Sequence, residues 1–201
     1  IEGDIRDRGA VEKALRESGA EAVMHFAAFA EVGESVLDPH KYYDNNVTGT
    51  LSLLAAMQST GCGRFFFPGS CSVYGEVIDI PTSEATPAAP INPYARSKWM
   101  IEQMLEDFGS AYDLRSITLR YFNACGAGFN ATRGEDHNPE SHLIPLIIQA
   151  AMGKRDNIKI FGSDYPTSDG TCVRDYIHVE DLAKAHLLRS EEHTSELQSP
   201  N

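Results

Sequence analysis

The sequence predicts an α/β fold, a doubly wound parallel sheet, on three observations. Short apolar runs suited to buried parallel strands alternate with helical patterns three times over. Each run exits into residues that can meet a ligand at the carboxyl edge of such a sheet. The composition, 201 residues with 42% hydrophobic and 23% charged, excludes the disordered, fibrous and membrane classes.

The elements follow in order. Asp7 to Ser18 reads as a helix, because Val11, Ala14 and Leu15 recur at helical spacing and Gly19 can cap its end. Glu21 to Phe26 is the first buried strand. Tyr42 to Thr60 is a longer helix closed by Gly61, and Arg64 to Phe67 is the second strand. Asn92 is a fitting N-cap with Pro93 at the first helical position, opening a helix to about Tyr112. Arg115 to Arg120 is the third strand. The Gly-, Asn-, Asp- and Pro-rich stretch 126–141 reads as an inserted loop long enough to be functional. Beyond it, His142 to Met152 reads as a helix, Ile158 to Phe161 as a strand, Val173 to Val179 as a strand, and Glu180 to Leu188 as the start of a last helix.

Charge and cysteines narrow the function. With 17 Lys and Arg against 29 Asp and Glu, the net charge is −12, which repels phosphate backbones and argues against nucleic-acid binding. No run of 18 apolar residues is present, so no membrane span is expected. Cys62, Cys71, Cys125 and Cys172 form no CxxC pair and read as reduced thiols of a cytoplasmic protein. His137 and His142 stand five apart with no cysteine near to complete a zinc set, so no metal site is expected.

The chemistry is sought at the strand exits. Ala27 and Ala28 follow Phe26 and let a ligand approach the backbone. Pro68-Gly69-Ser70-Cys71-Ser72 places hydroxyls at the edge, and Tyr121-Phe122-Asn123 sets aromatic faces beside an amide. The sharpest pair is Tyr94 and Lys98, one helical turn apart on one face, with Ile101 and Leu105 continuing that face inward. A neighbouring ammonium favours the phenolate, and a Tyr tuned in this way can serve as a general base on an alcohol. A lone YxxxK arises often by chance. Ser70, 24 residues earlier at a strand end, adds a hydroxyl for the same substrate alcohol.

This Ser-then-YxxxK arrangement resembles the extended short-chain dehydrogenase/reductase superfamily. Within it the chain resembles the sugar-nucleotide 4-epimerases of the NAD-dependent epimerase/dehydratase family. The segments that carry the likeness are EGDIRD (2–7), HFAAFAEVGESV (25–36), YYDNNVTGT (42–50), SCSVYGE (70–76), NPYARSK (92–98), LRYFNACGA (119–127) and IFGSDYPTSDGTCVRDYIHVEDLA (160–183). The resemblance implies a Rossmann fold and reversible oxidation at sugar C4, interconverting UDP-glucose and UDP-galactose with bound NAD. It implies Tyr94 as base, Ser70 on the sugar O4, and Lys98 on the nicotinamide ribose, lowering the Tyr94 pKa. Asp4 and Ile5 would meet the adenine; Phe26, Ala27, Ala28 and Asn45 would line the cofactor; Tyr121 and Phe122 would sit against the nicotinamide. Asn123 and Arg174 would bind the diphosphate, and Leu143 and Phe161 would border the uridine. His142 stands where some members carry Asn, and Ala30 where some carry Lys. A homodimer through helices like 42–60 and 94–112 is implied as well.

The departures shape further expectations. The family's glycine-rich phosphate loop, the acidic residue for the adenosine ribose and the C-terminal substrate lobe have no counterpart in the sequence. Residues 1–188 are therefore expected to be a partial dinucleotide-binding domain, inactive by itself. Residues 189–201, which read like a translated sequencing-adapter oligonucleotide, are expected to be a non-native tail. Cys71 and Ser72 stand where sugar-nucleotide 4,6-dehydratases carry an acidic pair, which argues against that reaction. The remaining alternatives are a 4-epimerase for UDP-xylose/arabinose or UDP-N-acetylhexosamines, or a non-catalytic NAD- or sugar-nucleotide-binding module.

Overall fold

A computed structural model describes residues 1–77, 80–130 and 132–195, with the backbone alone for 189–195. The chain divides into two units, residues 1–121 and the rest.

The first unit begins with helix α1 (Arg8–Ser18). The Asp7 carboxylate accepts from the Ala10 N–H at its start, and Gly19 ends it at φ 61°, the left-handed region that only glycine enters at little cost. Strand β1 (Ala22–Met24) leads to α2 (Val32–Leu37), α3 (Pro39–Tyr42), a π-helical turn at Tyr43–Thr48 and α4 (Gly49–Thr60). The single helix expected over 42–60 is thus interrupted. In the wide turn Asn46 is buried, its amide oxygen accepting from the Phe29 N–H at 2.9 Å and its NH₂ donating to the Phe29 carbonyl at 3.0 Å. Strand β2 (Arg64–Pro68) runs into a 3₁₀ turn at Cys71–Tyr74, then α5 (Pro93–Tyr112) and β3 (Arg115–Leu119). The start of α5 is as the sequence predicts, with the Asn92 side chain accepting from the Ala95 N–H at 2.8 Å and Pro93 in the first turn.

The three strands lie side by side in the order β1-β2-β3, all parallel, with Phe65 opposite Val23 and Ser116. Strand side chains alternate faces, so Phe65 and Phe67 of β2 point the same way. They meet Leu15 of α1, Leu53, Leu54 and Met57 of α4, and Ile101 and Leu105 of α5 in one core. His25, just past β1, is buried at its edge. The Thr50 hydroxyl donates to the Asn46 carbonyl, so the 2.9 Å contact from His25 Nε2 to Thr50 Oγ1 is an imidazole N–H donating.

The second unit holds strands β4 (Asn123–Cys125) and β5 (Tyr176–His178), paired in parallel, with helices α6 (Leu143–Ala151) and α7 (Val179–Ser195). Two expectations are corrected here. The stretch 158–161 forms no strand: Ile160 and Phe161 are exposed, and apolar character without a sheet edge to join does not make one. The strand expected over 173–179 shortens to three residues. Helix α7 continues past Leu188 to Ser195, and residues 196–201 of the expected tail lie outside the described residues. β4 is a strand that periodicity did not indicate, since three residues are too few to show a period.

Burial holds His25 neutral, lowering its pKa from 6.5 to about 4, with the Lys98 charge adding to the effect. The unfolded chain takes up this proton near 6.5 and the folded chain only near 4. Stability should therefore fall as pH drops through that window, by about 3 kcal/mol in all. Urea denaturation of the chain at pH 7, 5.5 and 4 measures it. A His25→Gln variant, which has nothing to titrate there, should show a shallower pH dependence.

Candidate active site

Tyr94 and Lys98 rise from the first two turns of α5. Lys98 is 5% exposed, and Ile101 and Leu105 below it are buried, so this face looks inward as their spacing predicts. The Lys98 ammonium donates to the Pro68 carbonyl at the end of β2, 2.8 Å away. It lies 4.7 Å from the Phe67 ring centre and 5.9 Å from that of Tyr94. Ser70, two residues past Pro68, lies close enough to the Tyr94 hydroxyl to draw its pKa downward. Its Oγ is also 2.8 Å from that of Ser72 and accepts from the Ser72 N–H. Gly69 makes this strand exit possible, for a Cβ there would come within 2.7 Å of the Thr118 methyl and 3.1 Å of the Leu119 carbonyl. Ser70, Tyr94 and Lys98 thus lie together at one strand exit.

The electrostatics differ from the expectation in one respect. Tyr94 is not made more acidic here: burial raises its pKa above the usual 10, and the neighbouring Ser70 only partly opposes this. Burial also acts on Lys98, lowering its pKa to about 8 while the Glu102 charge pulls it upward. Both shifts have one cause, the loss of water around a charge. Tyr121, at the exit of β3, is pushed up to about 12 by burial and by Tyr94.

Two networks around this site escaped the sequence reading. Glu102, one turn beyond Lys98, forms a two-pronged ion pair with Arg120, whose Nε donates to its carboxylate oxygens at 3.0 and 3.1 Å. The Arg120 Nη1 donates to the Tyr74 hydroxyl at 2.9 Å, and the guanidinium lies over the Tyr74 ring. One charge pair thus ties α5, the turn after β2 and the end of β3 together. The second network is neutral and fully buried: Asn46 donates to Ser97 Oγ at 3.2 Å, and Ser97 donates to the Tyr94 carbonyl at 2.7 Å. The i+4 spacing from Lys98 was the available signal for Glu102; for Asn46 there was none.

The remaining expected residues fall into two groups. In the first unit a cleft of about 410 Å³ is lined by Asp4, Ile5, Met24, His25, Phe26 and Ala27 among others. Asp4 is held ionised, its pKa lowered to about 2 by its bonds from Arg6, which also pairs with Asp44 at 2.6 Å. Phe26 is 61% exposed, Ala28 donates to the Phe26 carbonyl, and the Asn45 amide is spent on Asn46 at 3.0 Å. In the second unit Phe122, Leu143 and Phe161 are exposed, and the Asn123 amide donates to the Asp175 carbonyl at 2.8 Å, bracing β4 against β5. Arg174 donates to the adjacent Val173 carbonyl; among the described residues no carboxylate pairs with it. His142 is the N-cap of α6 but makes no side-chain capping bond.

Two substitutions test this geometry. Lys98→Met removes the buried ammonium, whose lowered pKa corresponds to about 3 kcal/mol, at the loss of a bond of about 1 kcal/mol. It should stabilise the chain by about 2 kcal/mol at pH 7. The gain should shrink as pH rises from about 8 towards 10.5, where the parent lysine becomes neutral in the folded state before it does so in the unfolded. Glu102→Ala, which strands Arg120, should destabilise by about 2–4 kcal/mol. Urea denaturation of each variant against the parent checks both.

The chain is similar to known proteins along most of its length. The sequence profile of the NAD dependent epimerase/dehydratase family matches residues 1–199. The chain is 55% identical over 185 residues to a UDP-glucose 4-epimerase of Rhizobium meliloti, covering 92% of this chain and 56% of that protein. To that of Halalkalibacterium halodurans it is 48% identical, covering 94% of this chain and 57% of that protein. Among solved structures, the Brucella ovis UDP-glucose 4-epimerase in complex with NAD superposes with a TM-score of 0.94 at 49% identity, over 98% of this chain and 60% of that one. The Bifidobacterium longum enzyme with NAD+ and UDP gives 0.89 at 41%, over 93% and 57%. The chain thus spans little more than half the length of these relatives. With its parallel sheet and a family profile matched along nearly its whole length, the chain belongs to the NAD dependent epimerase/dehydratase family.

Proposed function

We propose that this chain carries the catalytic residues of an NAD-dependent 4-epimerase that interconverts UDP-glucose and UDP-galactose. The observation that carries the reading is the Tyr94 hydroxyl beside Ser70, one helical turn from the buried Lys98. The relatives at 45–55% identity, all UDP-glucose 4-epimerases, support the substrate. No acidic pair stands at Cys71 and Ser72, and the 4,6-dehydratase compared is only 28% identical.

The residues suit NAD. Asp4 and Ile5 share a cleft with Phe26 and Ala27 and would hold the adenine end, with Ala28 and Asn45 lining the path. Lys98 would hold the nicotinamide ribose, with Tyr121 and Phe122 against the ring. When bound, NAD supplies the acceptor and donor of hydride at sugar C4. Tyr94 takes the O4 proton as C4 is oxidised and returns it on reduction from the other face, while Ser70 donates to O4. In the ligand-free chain Tyr94 is too weak an acid to be a phenolate at pH 7. A cationic ring and ribose hydroxyls beside Lys98 would lower it, since a positive charge favours the phenolate. Asn123, His142, Leu143, Phe161 and Arg174 would receive the UDP portion, Arg174 by a two-pronged contact suited to a diphosphate.

The proposal extends to a homodimer through α4 and α5, where Leu51 and Met100 are exposed. A cytoplasmic location is supported by four cysteines that form no disulfide; no described helix is long and apolar enough to cross a membrane.

The test is made on a full-length protein containing this chain, purified with NAD and assayed with UDP-galactose and, separately, UDP-N-acetylglucosamine. Turnover of the first should exceed that of the second, and Tyr94→Phe should lower the rate by about 10²–10⁴. Unchanged turnover in Tyr94→Phe removes Tyr94 from the base role. Ligand binding without turnover in the parent replaces the enzyme reading with a sensor.

A further inference from the structure

The long loop between β4 and α6 gathers a set of side chains that the proposed reaction does not use as a set. Glu135, His137, Glu140 and His142 each offer one ligating atom, and all four atoms lie within 4.8 Å of one another. His142 Nδ1 is 2.9 Å from Glu135 Oε1 and 2.8 Å from Glu140 Oε1, and His137 Nδ1 is 3.3 Å from Glu135 Oε1. The two imidazole rings pack at 4.7 Å between centres.

These spacings are close to those of a coordination shell. Ligands bonded at about 2.0–2.2 Å in a tetrahedral site sit about 3.3–3.6 Å apart, so the closest pairs must open by a few tenths of an ångström and the widest, up to 4.8 Å, must close by about one ångström to seat an ion. A neutral imidazole nitrogen has at most one proton, and His142 Nδ1 faces two carboxylates, so it cannot make two full hydrogen bonds to them. A cation placed between the four atoms serves every one of them. Two carboxylates and two neutral imidazoles carry a net charge of −2, which matches a divalent ion. The missing side-chain cap at the start of α6 leaves the His142 ring uncommitted to its helix. Such a set needs no cysteine, because carboxylates can supply the remaining ligands.

We propose that Glu135, His137, Glu140 and His142 form a binding site for a divalent transition metal of the zinc type. Two nitrogen ligands disfavour calcium and magnesium, which take oxygen, and the absence of thiolate disfavours softer ions. Four ligands within eight residues mean that the ion closes the loop on itself and fixes His142 at the head of α6. The proposal does not depend on the epimerase reading, because binding is measured without NAD or sugar nucleotide.

The test uses the purified chain, stripped of metal by a chelator. It is titrated with zinc chloride in competition with a chromophoric chelator, and with cobalt chloride followed by visible absorption. The expected result is one zinc per chain, cobalt bands of tetrahedral intensity, and no competition from magnesium. His137→Ala, His142→Ala and the near-isosteric Glu135→Gln should each weaken zinc by more than about tenfold. His40→Ala, at an exposed histidine outside the cluster, should leave it unchanged. All three cluster side chains are partly exposed, so the variants should keep the parent's far-UV circular dichroism. Failure of the parent chain to take zinc from the chelator, or equal affinity in the His137→Ala/His142→Ala double variant, would overturn the proposal.

Discussion

The first unit is arranged around one buried ammonium, that of Lys98. Lys98 sits almost without water, held by a single carbonyl at the end of β2 and flanked by the faces of Phe67 and Tyr94. A charge in such a place is costly unless its surroundings are fixed. Three features fix them. The Asn92 cap and Pro93 set where α5 begins, and hence which of its faces turns inward. Gly69 lets β2 pass close under Leu119, and the Ile101–Leu105 stripe locks the helix against Phe65 and Phe67.

Charge and neutrality are divided around that lysine. The ionic tie, Glu102 with Arg120, lies where Arg120 keeps some exposure to water, so its desolvation is incomplete. The tie at full burial uses only amides and hydroxyls: Asn46, Ser97 and the backbone of Phe29 and Tyr94. A satisfied neutral network can be buried at little cost, whereas an ion cannot. The π-helical turn before α4 is the geometric consequence, because it carries Asn46 to both partners.

The second unit is built differently. Its two strands are three residues each, α6 has no buried side chain, and among its described side chains only Leu182 and His186, both on α7, are buried. Its loops are held by local bonds instead, such as Asn123 to Asp175 and Thr171 to Asp169. Local bonding of this kind suits segments that present polar and aromatic groups rather than a packed core.

Much of this was legible in the residues alone. The parallel strands, α1 with its glycine end, the start of α5, and the inward face shared by Tyr94, Lys98, Ile101 and Leu105 follow from period, capping and turn chemistry, which act over a few residues. The resemblance motifs named Ser70 together with Tyr94. Tertiary structure decided what depends on distant neighbours. Burial raised the Tyr94 pKa where a nearby lysine alone suggested the reverse, because desolvation is set by everything packed around a group. Asn46 became the clamp while its neighbour Asn45 did not, because the wide turn rotates one inward. The stretch 158–161 has strand composition but no strand edge beside it. The two histidines at 137 and 142 met carboxylates rather than thiols, because the path of the loop, which no periodicity describes, brought Glu135 and Glu140 to them.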